Sequence, residues 1–365
     1  MASALDRFSG PTRAWFQGAF AAPTLAQEDG WSAIAKGEHV LLSAPTGSGK
    51  TLTGFLWALD RLATEPVPTD EKMRGRVLYI SPLKALAYDV ERNLRAPLTG
   101  IANESARAGL PLPDIRVGAR TGDTPADERR ALVKHPPDVL VTTPESLYLL
   151  LTSQAQSALA GVHTVILDEI HAVASTKRGA HLALSLERLE ALVRKSRGDG
   201  ATFQRIGLSA TQRPLEEVAR FMGGRVGGEF RPVTIVNAKM PKVFDLGIVV
   251  PVEDMAQLGK PILGNDGEVM LSGPASGTPE ARHSIWPALQ HELLELVRAH
   301  RSTLVFVNNR RLAERIAATL NEMADEQIAR AHHGSIAREQ RLEIEDMSKA
   351  GKLPALVCTS TLELG

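Results

Sequence analysis

Ala44-Pro45-Thr46-Gly47-Ser48-Gly49-Lys50-Thr51 lies between an apolar run, Val40-Leu41-Leu42, and an amphipathic run over residues 52–62. The order reads as a strand, a glycine-bearing turn and a helix start. Such a turn presents successive backbone N–H groups and the positive end of the helix to an anion. Lys50 stands where an ammonium reaches β- and γ-phosphates, and Thr51 where a hydroxyl ligates Mg²⁺. Ala44 occupies the place of the pattern's first glycine. The stretch is expected to cradle ATP, and the rest of the chain should show what the ATP is used for.

At 365 residues the chain is long enough for two domains, each with its own core. Its hydrophobic content of 43% and charged content of 23% fit a soluble globular protein. Lys+Arg and Asp+Glu are both 42, so net charge neither favours nor excludes a polyanionic partner; only local patches could. The lone cysteine, Cys358, excludes an internal disulfide and points to a reducing compartment. It reads as a small buried apolar residue rather than a nucleophile. No apolar run approaches the roughly 20 residues of a membrane helix. The N-terminus, with Asp6 and Arg7, is not a secretory signal. A cytoplasmic protein is expected, associated with the nucleoid in a bacterium, with no membrane partner.

Outward from the loop, residues 1–38 read as helical, with Trp15, Phe16, Phe20 and Trp31 as the large apolar residues. Gln27 sits in Pro23-Thr24-Leu25-Ala26-Gln27. Its amide offers a donor and an acceptor suited to the N6/N7 edge of adenine. Taken alone, it reads as a solvated helix residue. Buried-type strands follow at Arg76-Val77-Leu78-Tyr79-Ile80, Ile115-Arg116-Val117, Val139-Leu140-Val141, His163-Thr164-Val165-Ile166-Leu167 and Arg205-Ile206-Gly207-Leu208. Val233-Thr234-Ile235-Val236 closes this unit. Helical patterns between the strands predict a parallel sheet with right-handed crossovers. In such sheets ligands gather at the carboxyl ends of the strands, and every polar cluster of the chain follows one.

The second unit begins near Phe244–Val250 and continues through a Gly/Pro/Ser-rich loop or insertion at about 252–283. A helix from Trp286 places Leu289, Leu293 and Val297 on one face. Strands are expected at Leu304-Val305-Phe306-Val307, over residues 328–332 and at Ala355-Leu356-Val357-Cys358, with helices between them.

Asp168 ends a strand where a Mg²⁺ ligand beside a phosphate loop is needed, and Glu169 is the candidate for polarising the attacking water. An exposed Asp-Glu pair ending a strand is the plainer alternative. Ser209 and Thr211, in Ser209-Ala210-Thr211, carry hydroxyls that can sense the nucleotide and signal to the other domain. Pro82 and Lys84, Arg120-Thr121-Gly122, and Thr142 and Thr143 supply hydroxyls, cations and helix-start N–H groups that suit a nucleic-acid backbone. Each is otherwise a loop or an N-cap. His332 and His333 are adjacent on a strand and point to opposite faces, so they make no metal site.

The order of these motifs resembles superfamily 2 helicases of the DExH form. The phosphate loop resembles motif I, residues 81–86 motif Ia, residues 142–145 motif Ib, residues 168–171 motif II and residues 209–211 motif III. Residues 305–310 look like motif IV, residues 359–365 motif V, and residues 23–27 the adenine-reading Q motif. Within the superfamily, residues 168–183, 283–287 with 305–314, and 331–345 resemble the large helicase-related (Lhr) group. The resemblance implies two RecA-like domains, about 1–238 and 239–365, with the second incomplete at its C-terminus. It implies coupling through His171 and further nucleic-acid contacts from Asn308, Arg310, Thr359 and Ser360. Its proteins are ATP-dependent 3′-to-5′ helicases that track single-stranded DNA, unwind RNA:DNA hybrids and serve DNA repair. Motif VI, with its arginine fingers, is expected after Gly365. The chain is therefore read as the N-terminal part of a longer protein. As a fragment it is expected to hydrolyse ATP weakly, to unwind nothing, and to carry a sticky hydrophobic edge after Cys358. The rival readings are an ATP-driven clamp or remodeller that does not separate strands, an RNA helicase, and a P-loop enzyme that acts on small molecules. Protein partners are not indicated.

Overall fold

The computed structural model describes residues 3–45, 47–82, 84–111, 114–210, 213–238, 245–250, 262–263, 269–270 and 285–359. The chain forms two compact units, Met1–Lys242 and Val243–Gly365.

The first unit opens with α1 (Gly10–Ala19) and α2 (Leu25–Ile34). Strands and helices then alternate: β1 (His39–Ser43), α3 (Lys50–Thr64), β2 (Val77–Ile80), α4 (Lys84–Arg107), β3 (Val117–Arg120) and α5 (Ala126–Lys134). They continue as β4 (Val139–Thr142), α6 (Pro144–Leu151), β5 (Thr164–Leu167), α7 (His171–Ala174), α8 (Lys177–Arg197), β6 (Gln204–Ser209) and α9 (Leu215–Gly223). A small hairpin, β7 (Arg225–Val226) and β8 (Glu229–Phe230), precedes β9 (Val233–Asn237). The main sheet runs β3-β4-β2-β5-β6-β1-β9, and every neighbouring pair is parallel.

The period-2 alternation of strand side chains divides the core into two layers. Val40, Leu42, Tyr79 and Ile206 join Phe16, Trp31 and Phe55 on one face. Leu41, Leu78 and Leu167 join Leu186, Leu189 and Met222 on the other. Helices therefore cover both faces, and in such sheets ligands bind at the carboxyl ends of the strands and the loops that follow. Three expected loop residues belong to the strands themselves. Arg120, Thr142 and Ser209 are the last residues of β3, β4 and β6.

In the second unit, residues 245–250 form no strand, and Ile248 is 97% exposed. Alternating apolar residues there have no neighbouring strand among the described residues. A two-residue pair, β10 (Ile262–Leu263) with β11 (Val269–Met270), lies inside the expected insertion. Then come α10 (Trp286–Ala299), β12 (Thr303–Phe306), α11 (Arg310–Ala324), β13 (Ala329–His332), α12 (Arg338–Lys349) and β14 (Ala355–Cys358). These strands form a parallel sheet of order β12-β14-β13. The expected hydrophobic edge at Cys358 is thus misplaced: β14 is paired on both sides, and Cys358 is fully buried. Within this sheet, the exposed large apolar side chains among the described residues, Leu304 and Phe306, lie on β12.

Candidate nucleotide site and the loops around it

β1 delivers the chain to the phosphate loop. Ala44 extends the strand by donating its N–H to the Ser209 carbonyl at 3.2 Å, and Pro45 is half-buried. Gly47 (φ 80°) and Gly49 (φ 83°) hold the left-handed conformation that the turn requires, and Gly49 caps α3. A Cβ at Gly49 would stand 2.6 Å from the Gln27 Nε2 atom. Gln27 is only 4% exposed, so it is not a solvated helix residue. It closes a capping box with Thr24, whose N–H donates to Gln27 Oε1 at 2.9 Å. The Thr24 hydroxyl donates to the Ser48 carbonyl at 2.8 Å and so ties the start of α2 to the loop. That tie was not legible from Gln27 alone, although Thr24 is spaced as a capping residue.

Lys50 and Ser48 are buried, and neither Lys50 Nζ nor Ser48 Oγ has a hydrogen-bond partner among the described residues. Burial lowers the Lys50 pKa, against the pull of Glu169 and Asp168. A buried ammonium without an acceptor carries a desolvation cost that an anionic ligand would relieve. Thr51, in the first turn of α3, is exposed and free to face a ligand. Thr46 lies outside the described residues.

Asp168 follows β5 and is buried. One oxygen accepts from the Glu169 N–H at 2.9 Å, and the other accepts from the hydroxyl of Tyr79. Tyr79 was not singled out in the sequence. It is fully buried in β2 and stacks on Phe55 with ring centroids 4.6 Å apart. Burial first, then the Asp168 charge, holds its hydroxyl well above the usual tyrosine range, so it remains a donor. Burial also pushes the Asp168 carboxyl up, with the Tyr79 hydrogen bond opposing it. A desolvated carboxylate of this kind favours a cationic partner.

Glu169 adopts φ 42°, a strained conformation for a residue with a Cβ. Its carboxylate lies 3.3 Å from His171 Nδ1. That nitrogen also accepts the Ala210 N–H at 3.3 Å. Burial, with Lys50 as a second cause, lowers the His171 pKa. The ring is therefore neutral, with Nδ1 as the acceptor and the proton on Nε2. The contact between β6 and His171 is thus made by the Ala210 backbone. Ser209 is fully buried and donates to the Ala210 carbonyl at 2.9 Å, because the strand runs one residue further than expected. Thr211 lies outside the described residues.

The remaining loops of this unit sit at the carboxyl ends of the adjacent strands β3, β4 and β2. Thr142 donates to the Arg120 carbonyl at 2.7 Å. Thr143 caps α6 by accepting the Ser146 N–H at 3.3 Å. Thr121 is buried, and its hydroxyl accepts the Asp123 N–H at 3.2 Å. Arg129 holds the Gly122 carbonyl at 2.8 Å and the Thr124 carbonyl at 2.7 Å. Arg120 Nη1 is buried without a partner among the described residues, and burial followed by Arg129 lowers its pKa. These threonine hydroxyl bonds hold the loops in shape, while Arg120 Nη1 has no partner among the described residues. Arg178 donates to the Pro82 carbonyl at 2.9 Å. Lys84 starts α4, but its side chain lies outside the described residues.

In the second unit, Asn308 and Arg310 follow β12 and Thr359 follows β14, at one end of that sheet. Arg310 donates to Ser335 Oγ at 2.5 Å, and Asn309 rather than Asn308 caps α11. Ser360 lies outside the described residues. His332 reaches Glu345 on α12 at 3.0 Å and His333 reaches Glu314 on α11 at 2.8 Å, so the two rings diverge. Among the described residues no cluster of three metal-ligating side chains occurs. None of their helices is long and apolar enough to cross a membrane.

Residues 24–219 match the DEAD/DEAH box helicase family, and residues 287–365 match the helicase conserved C-terminal domain. The chain is 50% identical to the Lhr helicase/probable uracil glycosylase of Mycolicibacterium smegmatis, covering 100% of this chain and 24% of that protein. It is 41% identical to the ATP-dependent helicase Lhr-Core of Methanothermobacter thermautotrophicus, covering 96% of this chain and 38% of the relative. It is similar in structure to Mycobacterium smegmatis helicase Lhr bound to ssDNA and AMP-PNP. That likeness has a TM-score of 0.80 at 52% identity over 99% of this chain and 43% of the other. The chain thus spans between about a quarter and two-fifths of the sequence relatives it matches.

Proposed function

The chain belongs to the DEAD/DEAH box helicase family, with strong likeness to Lhr helicases, and from that premise we propose that it is the ATP-driven motor of a helicase that tracks single-stranded DNA. The observation that carries this reading is the buried Lys50 ammonium, without a hydrogen-bond partner among the described residues, beside the Asp168-Glu169 pair at the open ends of a parallel sheet. Residues 1–238 form the nucleotide-binding RecA-like domain, and 239–365 belong to the second. In the first domain, residues 44–51 hold the phosphates and Gln27 lies beside the adenine. Thr51 and Asp168 hold Mg²⁺, and the chemistry that ion supplies is neutralisation of phosphate charge. Glu169 orients and polarises the attacking water. His171, which touches both Glu169 and the Ala210 N–H, carries the state of the nucleotide to β6.

The ssDNA and AMP-PNP held by the M. smegmatis relative support the choice of strand and nucleotide. The 3′-to-5′ direction, RNA:DNA unwinding, DNA repair and a cytoplasmic, nucleoid-associated location follow the Lhr resemblance. Strand displacement by the longer protein that carries this chain, on a 3′-tailed DNA duplex with a 5′-tailed duplex and an RNA:DNA hybrid alongside, tests the activity. ATP-dependent, nucleic-acid-stimulated hydrolysis without displacement of any of them would leave a clamp or remodeller.

Backbone tracking has its own signature. Binding of ssDNA should weaken linearly in log–log form with salt, with a slope of about −0.7 for each phosphate neutralised, and should vary little between mixed-sequence oligonucleotides. Fluorescence anisotropy across a salt series measures both. A flat salt response combined with strong base preference would refute the backbone reading.

A further inference from the structure

Arg178 lies outside the residues read above as motifs I to V, within the Lhr-like stretch 168–183, and joins three segments. It stands in the first turn of α8. Its Nε donates to Glu145 Oε1 at 2.6 Å, and its Nη2 donates to Glu145 Oε2 at 3.1 Å. Nη2 also donates to the Pro82 carbonyl at 2.9 Å. Pro82 precedes α4, and Glu145 lies in the first turn of α6, two residues after the capping Thr143. One guanidinium therefore sets the spacing between the loop that follows β2 and the loop that follows β4.

The seat of Arg178 is itself tightly defined. Thr176 caps α8 by accepting the Gly179 N–H at 3.2 Å. A Cβ on Gly179 would stand 2.1 Å from the Val173 carbonyl oxygen. The first turn of α8 is thus pressed against α7, which begins at His171. The fork of donors requires arginine: a lysine ammonium cannot hold a carboxylate side-on and a carbonyl together in this planar geometry. The side chains of Arg178 and Glu145 are 44% and 55% exposed, so the pair contributes little to global stability. Its consequence is geometric.

We propose that Arg178 is a positioning residue for nucleic-acid binding, which holds the Pro82 loop and the start of α6 at the separation that one strand's phosphates require. The inference rests on the nucleic-acid reading above. Arg178 acts through Glu145 and Pro82 and does not itself touch the strand.

The test uses ssDNA anisotropy, AMP-PNP titration and thermal melts on wild type, Arg178→Ala, Arg178→Lys, Glu145→Ala and the double variant Arg178→Ala/Glu145→Ala. Both Arg178 variants should bind ssDNA roughly fivefold more weakly, a change of ~1 kcal/mol, with AMP-PNP affinity and Tm unchanged. Glu145→Ala should also weaken ssDNA binding, and the double variant should be no weaker than Arg178→Ala alone, because one interaction is lost in all three. If Arg178 met phosphate directly, Glu145→Ala would free the guanidinium and tighten binding; that sign overturns the proposal. Wild-type affinity in Arg178→Ala overturns it too while leaving the nucleic-acid reading standing. Absence of salt-sensitive ssDNA binding by the wild-type protein removes both.

Discussion

Glu169→Gln is expected to keep nucleotide affinity close to wild type while lowering the hydrolysis rate by roughly 10²–10⁴. An amide of nearly the same size cannot take a proton from water or polarise it as a carboxylate does. Side-chain volume is conserved, so a packing loss does not account for the effect. The position is tightly specified: Glu169 sits at φ 42°, and its carboxylate lies 3.3 Å from His171 Nδ1. Backbone strain at this residue is offset by the Asp168 carboxylate, which accepts its N–H. Single-turnover hydrolysis alongside equilibrium binding of AMP-PNP separates the two effects. Equal hydrolysis by wild type and Glu169→Gln in the longer protein with its full catalytic core would end the assignment of Glu169 as the water-polarising group.

Lys50→Met is expected to act in opposite directions on binding and on stability. Nucleotide affinity should fall by at least about tenfold, since a charge-assisted contact to phosphate is lost. The nucleotide-free protein should melt no lower than wild type, and higher near neutral pH. The sign follows from the shift. Burial outweighs the pull of Glu169 and Asp168 and places the Lys50 pKa below its usual value. The unfolded chain then binds this proton more tightly than the folded one, so the charged ammonium opposes folding at every pH below the depressed value. That opposition fades as pH rises from there toward the usual lysine pKa. Removing the charge removes the opposition, and the melting difference between Lys50→Met and wild type should shrink across that alkaline window. A lower Tm for Lys50→Met at neutral pH would show that Lys50 is a structural cation rather than one held ready for phosphate.

How much of this was legible differs from residue to residue. The phosphate loop was readable because its determinants are local: two glycines with positive φ, a lysine and a hydroxyl in successive positions after an apolar strand. Asp168 was readable because apolar strands announce their own ends. Tyr79 was not, since its role arises from β2 lying beside β5, a pairing between segments almost ninety residues apart. Ser209 was read one residue too early into the loop, because small residues extend a buried strand as easily as they begin a turn.

By itself, the order of residues determined the strand–helix rhythm, the parallel sheets and the cluster at each strand end, because period, capping and glycine conformation act over a few residues. Tertiary structure decided the sheet order, and with it which clusters become neighbours. It placed Gln27 against Gly49, the Ala210 N–H on His171, β14 between two strands rather than at an edge, and Arg178 across Pro82 and Glu145. Each of these depends on hydrogen bonds or contacts between segments far apart in the chain, whose partners no local pattern names.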